Sequence, residues 1–328
     1  MKIVATLFNR VFSAWVMPDW CVDEVRRVFP DIEFVKLEGT DGLLDQVRDA
    51  DIIFAARMTE ESFRAASKLK WIHAPMAGLD YVLIPSVIDS DVLVSNSRGV
   101  HAEPMAEHAI GFMLMFARRL HDCLDAQRAG RWRRDEIYQK VPTFDELAGK
   151  TVGVLGFGAI GTEVAKRARA FGMRVVGFKR DISQRVEHAD ALHTPDRLEA
   201  CLPDIDYLVI AVPGMRETNG MIGRAQLDLM KPTSVLINLS RGSIVDQDAL
   251  VDALESEQIA GAGLDVFTPE PLPDGHPLYK TRNLILTPHI SGTSPMLWRR
   301  TIDLFIENVH RFRDGRELIN LVDKTRGY

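Results

Sequence analysis

Thr151-Val152-Gly153-Val154-Leu155-Gly156-Phe157-Gly158-Ala159-Ile160-Gly161 is an apolar, partly β-branched run that closes on Gly-x-Gly-x-x-Gly and passes into a helical pattern over residues 162–171. Strand, tight turn and helix in this order describe a dinucleotide-binding βα unit. Gly156 permits the turn, Gly158 lets the backbone approach a pyrophosphate, and Gly161 lets the helix pack close on the strand. The helix start offers free N–H groups and a positive dipole end to the phosphates. With strand and helix both legible around the glycines, the stretch points to nucleotide binding rather than to an ordinary glycine-rich turn.

The stretch begins about 150 residues into a chain of 328, so something folded precedes it, and the length suits two domains. A hydrophobic content of 46% and a charged content of 26% are those of a globular protein. The net charge of −6 gives no general attraction for nucleic acid or an anionic membrane surface. No apolar run approaches the roughly 18 residues that span a bilayer. The N-terminus reads as a first strand rather than a signal peptide. Cys21, Cys123 and Cys201 are scattered and form neither a metal spacing nor a disulfide framework, which fits a reducing cytoplasm.

Strand signals at residues 3–8, 33–37, 51–55, 71–74 and 92–95 alternate with helical ones at 20–29, 43–50 and 61–69. Such alternation implies a parallel sheet with helices on both faces. A long helical pattern runs over 102–121, with Asn96 and Ser97 placed to help start it. A second α/β series has six strand candidates, at 151–155, 174–178, 207–212, 234–239, 261–266 and 284–287. The tail, with a helical pattern at 296–312, is too short to fold alone and is expected to return to the first lobe. The expected architecture is therefore α/β with two Rossmann-like or flavodoxin-like domains. The dinucleotide-binding domain (98–292) is inserted into a split substrate domain (1–97 plus 293–328), with a hinge and a cleft between them.

An acid at the end of the second strand of such a sheet accepts the ribose hydroxyls and selects NAD. Here Phe178 is followed by Lys179 and Arg180, two cations that suit a 2′-phosphate both as charges and as donors. NADP is therefore the preferred cofactor. NAD stays possible if Asp181, displaced by two positions, meets the ribose.

Three polar residues follow strand candidates of the second series: Arg241 after 234–239, Glu270 after 261–266 and His289 after 284–287. Ligands of an open parallel sheet collect at the carboxyl ends of its strands. Each residue alone has an ordinary structural explanation, and the reading depends on their occurring together. Hydride addition to a ketone leaves an alkoxide that needs a proton, which a histidinium near neutrality supplies. A carboxylate beside the ring favours its charged form. A guanidinium grips a carboxylate and polarises the adjacent carbonyl. The set suits a 2-oxo acid and needs no metal.

Together these segments resemble the D-isomer-specific 2-hydroxyacid dehydrogenases, which include glyoxylate/hydroxypyruvate reductases. The resemblance rests on 147–151 leading into Gly156–Gly161, on 236–242, on 263–267 with Glu270-Pro271, and on Thr287-Pro288-His289-Ile290. It implies that Arg241 binds substrate, that His289 is the acid/base and that Glu270 tunes it. It implies cofactor contacts from Met105, Gly156, Phe157, Gly158, Ala159, Ile160, Gly161, Val212, Pro213, Leu239, Ser240, Arg241, Asp265, His289 and Gly292, with Asp265 on the nicotinamide carboxamide. Met76, Ala77 and Gly78 resemble the loop whose N–H groups hold the substrate carboxylate. Two departures stand out: Gly214 occupies a position where threonine is common, and Arg98 has no assigned role.

The expected activity is NADPH-dependent reduction of a 2-oxo acid, reversible to D-2-hydroxyacid oxidation, by a cytoplasmic homodimer without nucleic-acid or membrane partners. Rival readings are a redox-sensing binding module of the same fold, and a related dehydrogenase acting on formate or phosphite. Side-chain selectivity is expected from Phe8-Asn9-Arg10, Met76, Leu79, Met296 and Trp298, and an arm over 131–142 is expected to contact a neighbouring copy.

Overall fold

The computed structural model describes residues 1–7, 16–140, 144–183 and 186–327; the Phe8-Asn9-Arg10 turn lies outside them. The chain divides into two compact units, residues 1–101 with 293–328, and residues 102–292. The expected boundary at 97/98 falls four residues before this division. The backbone after β5 still belongs to the first unit there, because the Ser97 N–H donates to the Ala74 and Met76 carbonyls.

The first unit holds β1 (Lys2–Ala5), β2 (Glu33–Lys36), β3 (Ile52–Phe54), β4 (Trp71–Ala74) and β5 (Leu93–Asn96), all parallel in the order β2-β1-β3-β4-β5. Its central strands are apolar at successive positions, as a sheet covered on both faces requires; Ile52, Ile53 and Phe54 are fully buried. Helix Leu297–Arg313 lies in this unit and stacks Phe305 on Phe54, with ring centroids 4.6 Å apart. The tail then pairs with the edge of β5: the Val322 N–H donates to the Val94 carbonyl, and Asn320 Nδ2 donates to the carbonyls of Asn96 (3.1 Å) and Arg98 (2.8 Å). Arg98, unassigned from the sequence, thus helps to fasten the returning tail.

The second unit holds β6 (Thr151–Leu155), β7 (Arg174–Phe178), β8 (Ala191–His193), β9 (Tyr207–Ile210), β10 (Val235–Asn238), β11 (Gly261–Leu264) and β12 (Leu284–Leu286). They form one parallel sheet in the order β12-β11-β10-β9-β6-β7-β8. The order reverses between β6 and β9, so the glycine turn after β6 stands at the topological switch point where such sheets bind ligands. Among the described residues the six-strand expectation is corrected to seven. β8 is a three-residue edge strand of half-buried residues, too short to show any alternation.

Helix Ala102–Ala117 packs on this sheet. Gly261 and Gly263 make room for it: a Cβ at Gly261 would lie 2.4 Å from the Phe116 ring, and one at Gly263 would lie 2.7 Å from the Phe112 ring. The expected single helix over 102–121 is in fact two, Ala102–Ala117 and Leu120–Arg128. Arg119 breaks it in a left-handed conformation (φ 52°), and its guanidinium is buried against the Asp122 carboxylate at 2.6 Å. Asn96 and Ser97 do not start this helix. The Asn96 amide donates to the Ala77 carbonyl, and Ser97 Oγ pairs with the buried His73 ring. Among the described residues no helix is long and apolar enough to cross a membrane.

Candidate active site

β10, β11 and β12 are neighbours, and all end on the same edge of the sheet. Asn238, the last residue of β10, turns its side chain onto the loop that follows. Its Nδ2 donates to the Arg241 carbonyl (2.8 Å), and its Oδ1 accepts the Ser240 N–H (3.0 Å). Gly242 then lies flat against the Phe267 backbone, where a Cβ would come within 2.1 Å of the Phe267 carbonyl carbon. The glycine lets the Arg241 turn abut the segment that leads to Glu270.

Glu270 Oε1 accepts the Phe267 N–H at 2.7 Å, and Oε2 faces His289 Nδ1 at 2.7 Å. An ionised carboxylate only accepts, so Nδ1 carries the proton and Nε2 is left as the nitrogen that exchanges one. The hydrogen bond to Glu270 raises the His289 pKa above the ordinary value against the effect of burial; the Glu270 and Asp265 charges add to the rise and Arg241 opposes it. Burial works to raise the Glu270 pKa. The bonds from His289 and the Phe267 N–H, with the charges of His289 and Arg241, outweigh it and hold the carboxyl below its usual range. Arg241 therefore acts electrostatically on both partners, while the His289 side chain stays 51% exposed.

Gly214 explains itself against Arg241. A Cβ at 214 would sit 2.5 Å from Arg241 Cγ and 3.1 Å from its Cβ, so the aliphatic stem of the arginine occupies the space a threonine would fill. Arg241 Nη1 donates to the Ser240 carbonyl at 2.9 Å.

His289 is left-handed (φ 53°), a conformation uncommon for a non-glycine residue. Its N–H donates to the Thr287 carbonyl. Asp265, expected on a carboxamide, is fully buried and clasps this loop: Oδ1 accepts the Thr287 hydroxyl (2.6 Å) and the Ile290 N–H (2.9 Å), and Oδ2 accepts the Ser291 N–H (2.9 Å). Asn238 and Thr287 escaped the sequence reading. Their only signal is a polar residue at the end of an apolar strand.

The glycine turn has the shape a dinucleotide needs. Gly156 is left-handed (φ 102°), and a Cβ there would strike the Ala211–Val212 backbone at 2.6 Å. A Cβ at Gly158 would meet nothing within 4 Å, which leaves the open approach a pyrophosphate requires. One at Gly161 would lie 2.3 Å from the Gly156 carbonyl oxygen. Helix Ala159–Ala170 has no side-chain cap at Gly158, and the first N–H groups of a helix lack acceptors within it. Ala159 and Ile160 sit at that start. The Phe157 ring is buried against Gly177, and its N–H donates to the Phe178 carbonyl. Ser240 Oγ donates to the Val212 carbonyl and Thr218 Oγ1 to that of Pro213, so the loops after β9 and β10 are tied together. Leu239 is buried, and Met105 and Gly292 are half-buried. Lys179 and Arg180 follow the end of β7, with Arg180 exposed, and Asp181 Oδ1 is taken by the Ser183 N–H and hydroxyl.

In the first unit, residues 76–78 follow β4, with Ala77 exposed. The Ala77 carbonyl accepts the Asn96 side-chain amide, and the Met76 carbonyl accepts the Ser97 N–H. Leu79 does not line a site; it is buried in the core beside Val82 and Val87. Trp298 packs partly into the core of the same unit, while Met296 is exposed.

A doubly wound sheet with this glycine turn at its switch point, and with an arginine and a glutamate–histidine pair on the same edge, defines an NAD(P)-dependent oxidoreductase acting on CH–OH groups. The family model for the NAD-binding domain of D-isomer specific 2-hydroxyacid dehydrogenases matches residues 110–291. A glyoxylate reductase from Thermococcus gammatolerans is 34% identical over 326 residues, 96% of each chain. Among solved structures, a D-isomer specific 2-hydroxyacid dehydrogenase from Xanthobacter autotrophicus Py2, in complex with NADPH and MES, has a TM-score of 0.82. It is 28% identical, with 100% of this chain and 99% of that one covered. An NADPH-dependent glyoxylate/hydroxypyruvate reductase from Sinorhizobium meliloti, in complex with citrate, has a TM-score of 0.77. It is 29% identical, with 99% and 98% covered. The chain belongs to the D-isomer specific 2-hydroxyacid dehydrogenase family.

Proposed function

We propose that this protein reduces 2-oxo acids to D-2-hydroxy acids with NADPH, with His289 as the proton donor. The observation that carries the reading is the 2.7 Å His289–Glu270 pair, half exposed on the sheet edge that also bears Arg241. A bound nicotinamide supplies the hydride. Glu270 keeps the imidazolium charged and oriented through Nδ1, so that Nε2–H is the proton delivered to the substrate oxygen. Arg241 binds the substrate carboxylate and polarises the adjacent carbonyl. Ala77 and Gly78, with Met76, belong to the same proposal as a carboxylate-binding loop, since small side chains leave backbone N–H groups approachable. A glutamate–histidine acid/base is superfluous for formate, whose oxidation releases hydride without a proton transfer to oxygen. NADPH oxidation measured with glyoxylate, hydroxypyruvate and bulkier 2-oxo acids tests the reading. A binding module of the same fold would turn over none of them.

The cofactor preference rests on Lys179 and Arg180, and on an Asp181 carboxylate whose Oδ1 is already engaged by Ser183. The double substitution Lys179→Asp, Arg180→Ser should weaken NADPH binding by roughly 100-fold, the scale of two lost charge-assisted contacts. NADH binding should change by no more than about threefold. Fluorescence titration of both nucleotides checks this, and equal losses would remove the two cations from the phosphate site. A homodimer is part of the same proposal: Trp132 and Tyr138 are 90% and 70% exposed, and Leu120 and Leu124 are also exposed. A monomer mass by light scattering would end that part of it.

A further inference from the structure

Helix Ala102–Ala117 carries a histidine with no place in the scheme above. His108 and Phe112 share one face at the i, i+4 spacing, and their rings meet edge-on, with centroids 4.7 Å apart. Phe112 is itself seated in the space left by Gly263, so the orientation of His108 is set by the sheet beneath it. From there, Nε2 reaches Thr287 Oγ1 at 3.0 Å.

The proton count in this chain has one solution. Asp265 is an acceptor, and Thr287 has a single hydroxyl proton. At 2.6 Å that proton lies on the bond to Asp265 Oδ1. Thr287 Oγ1 can then only accept from the ring, so His108 must donate through Nε2–H. Burial pushes the His108 pKa down, in keeping with a neutral ring held in this one tautomer, although the Asp265 charge works the other way. At the far end, the Asp265 carboxylate accepts the Ile290 and Ser291 N–H groups, the two residues after His289.

We infer that His108 is a positioning residue for the loop that carries His289, acting through the Thr287 hydroxyl and the Asp265 carboxylate. The inference rests on the reading of His289 as the acid only for its effect on turnover; the clasp itself is read independently. The left-handed backbone of His289, uncommon for a non-glycine residue, is followed directly by the two amides that Asp265 holds. The donor from His108 fixes the Thr287 hydroxyl, which in turn fixes the carboxylate that holds both following amides. Without the His108 donor the Thr287 hydroxyl is free to rotate off Asp265 Oδ1, and a fully buried carboxylate left with two donors would turn and slacken that hold.

The test uses the full-length protein and four variants: His108→Phe, His108→Gln, Thr287→Val and the double His108→Phe/Thr287→Val. Glutamine places an N–H close to the position of Nε2, whereas phenylalanine keeps the ring and removes the donor. His108→Phe should lower kcat for 2-oxo acid reduction about tenfold, with the KM for NADPH unchanged within about twofold, because orientation is lost and cofactor affinity is not. It should also accelerate hydrogen exchange at the Ile290 and Ser291 amides by about tenfold in the protein alone. His108→Gln should restore both readouts. The double variant should lose no more than Thr287→Val, since the two residues act in series. Equal behaviour of phenylalanine and glutamine, additive losses in the double variant, or unchanged exchange in His108→Phe would each overturn the inference. If His289→Gln kept full turnover, the acid reading would fail, and the exchange experiment would still decide the clasp.

Discussion

Replacing His289 with alanine should lower the turnover of 2-oxo acid reduction by about 10²- to 10⁴-fold, the range that a positioned general acid contributes. The loss should fall on kcat, because the ring acts where charge develops on oxygen and adds little to ground-state binding. The pH profile gives the sign. Reduction requires the protonated ring, so its rate should fall as pH rises through the His289 pKa, which lies above the ordinary value chiefly because of the Glu270 hydrogen bond. Oxidation of the 2-hydroxy acid requires the neutral ring and should rise over the same interval. Glu270→Gln removes the anion that raises this pKa, leaving the nearby Asp265 and Arg241 charges, which act in opposite senses. Both limbs should then move to lower pH. Parallel profiles in the two directions, or a Glu270→Gln enzyme with an unmoved midpoint, would remove His289 as the proton carrier.

Arg241→Ala should lower kcat/KM by roughly 100- to 1000-fold, or about 3–4 kcal/mol, since the guanidinium would lose both its grip on the substrate carboxylate and its field at the carbonyl. The turn that presents it is fixed by Asn238 and by the close approach of Gly242 to Phe267, so its geometry is prepared before substrate arrives. Arg241→Lys should recover only a minor part, because an ammonium keeps the charge but not the two-pronged donor geometry. Steady-state kinetics across a 2-oxo acid series checks this. A loss below about threefold in the alanine variant would show that the carboxylate is held elsewhere.

Much of this site could be read from the chain because its signals are local. The three glycines of the turn were legible from their spacing after an apolar strand: Gly156 and Gly161 are required by close backbone approach, while Gly158 is left open. Arg241, Glu270 and His289 were legible because each directly follows an apolar run, and strand ends in a parallel sheet share an edge. The break at Arg119 was not legible: Ala117-Arg118-Arg119-Leu120 contains neither glycine nor proline, and the left-handed residue is stabilised by a buried ion pair with Asp122. The short edge strand at 191–193 carried too few residues to show a period. The clasp of Asp265 on the His289 loop, and the links from Thr287 and His108, depend on β11 and β12 being adjacent and on a helix from another part of the sequence lying across them. No spacing along the chain reports such an arrangement. Leu79 was expected to set selectivity from its place in the loop after β4, but an apolar residue beside such a loop is equally suited to the core, where it lies.

Gly214 and Arg241, 27 positions apart, occupy a single volume between them. A bulkier residue at the first site therefore becomes acceptable only after the second has found another rotamer. A redesign that placed threonine at 214 on its own would displace the Arg241 side chain without touching that residue. Epistasis of this kind is a reason to swap the two loops as one cassette when specificity is moved between relatives.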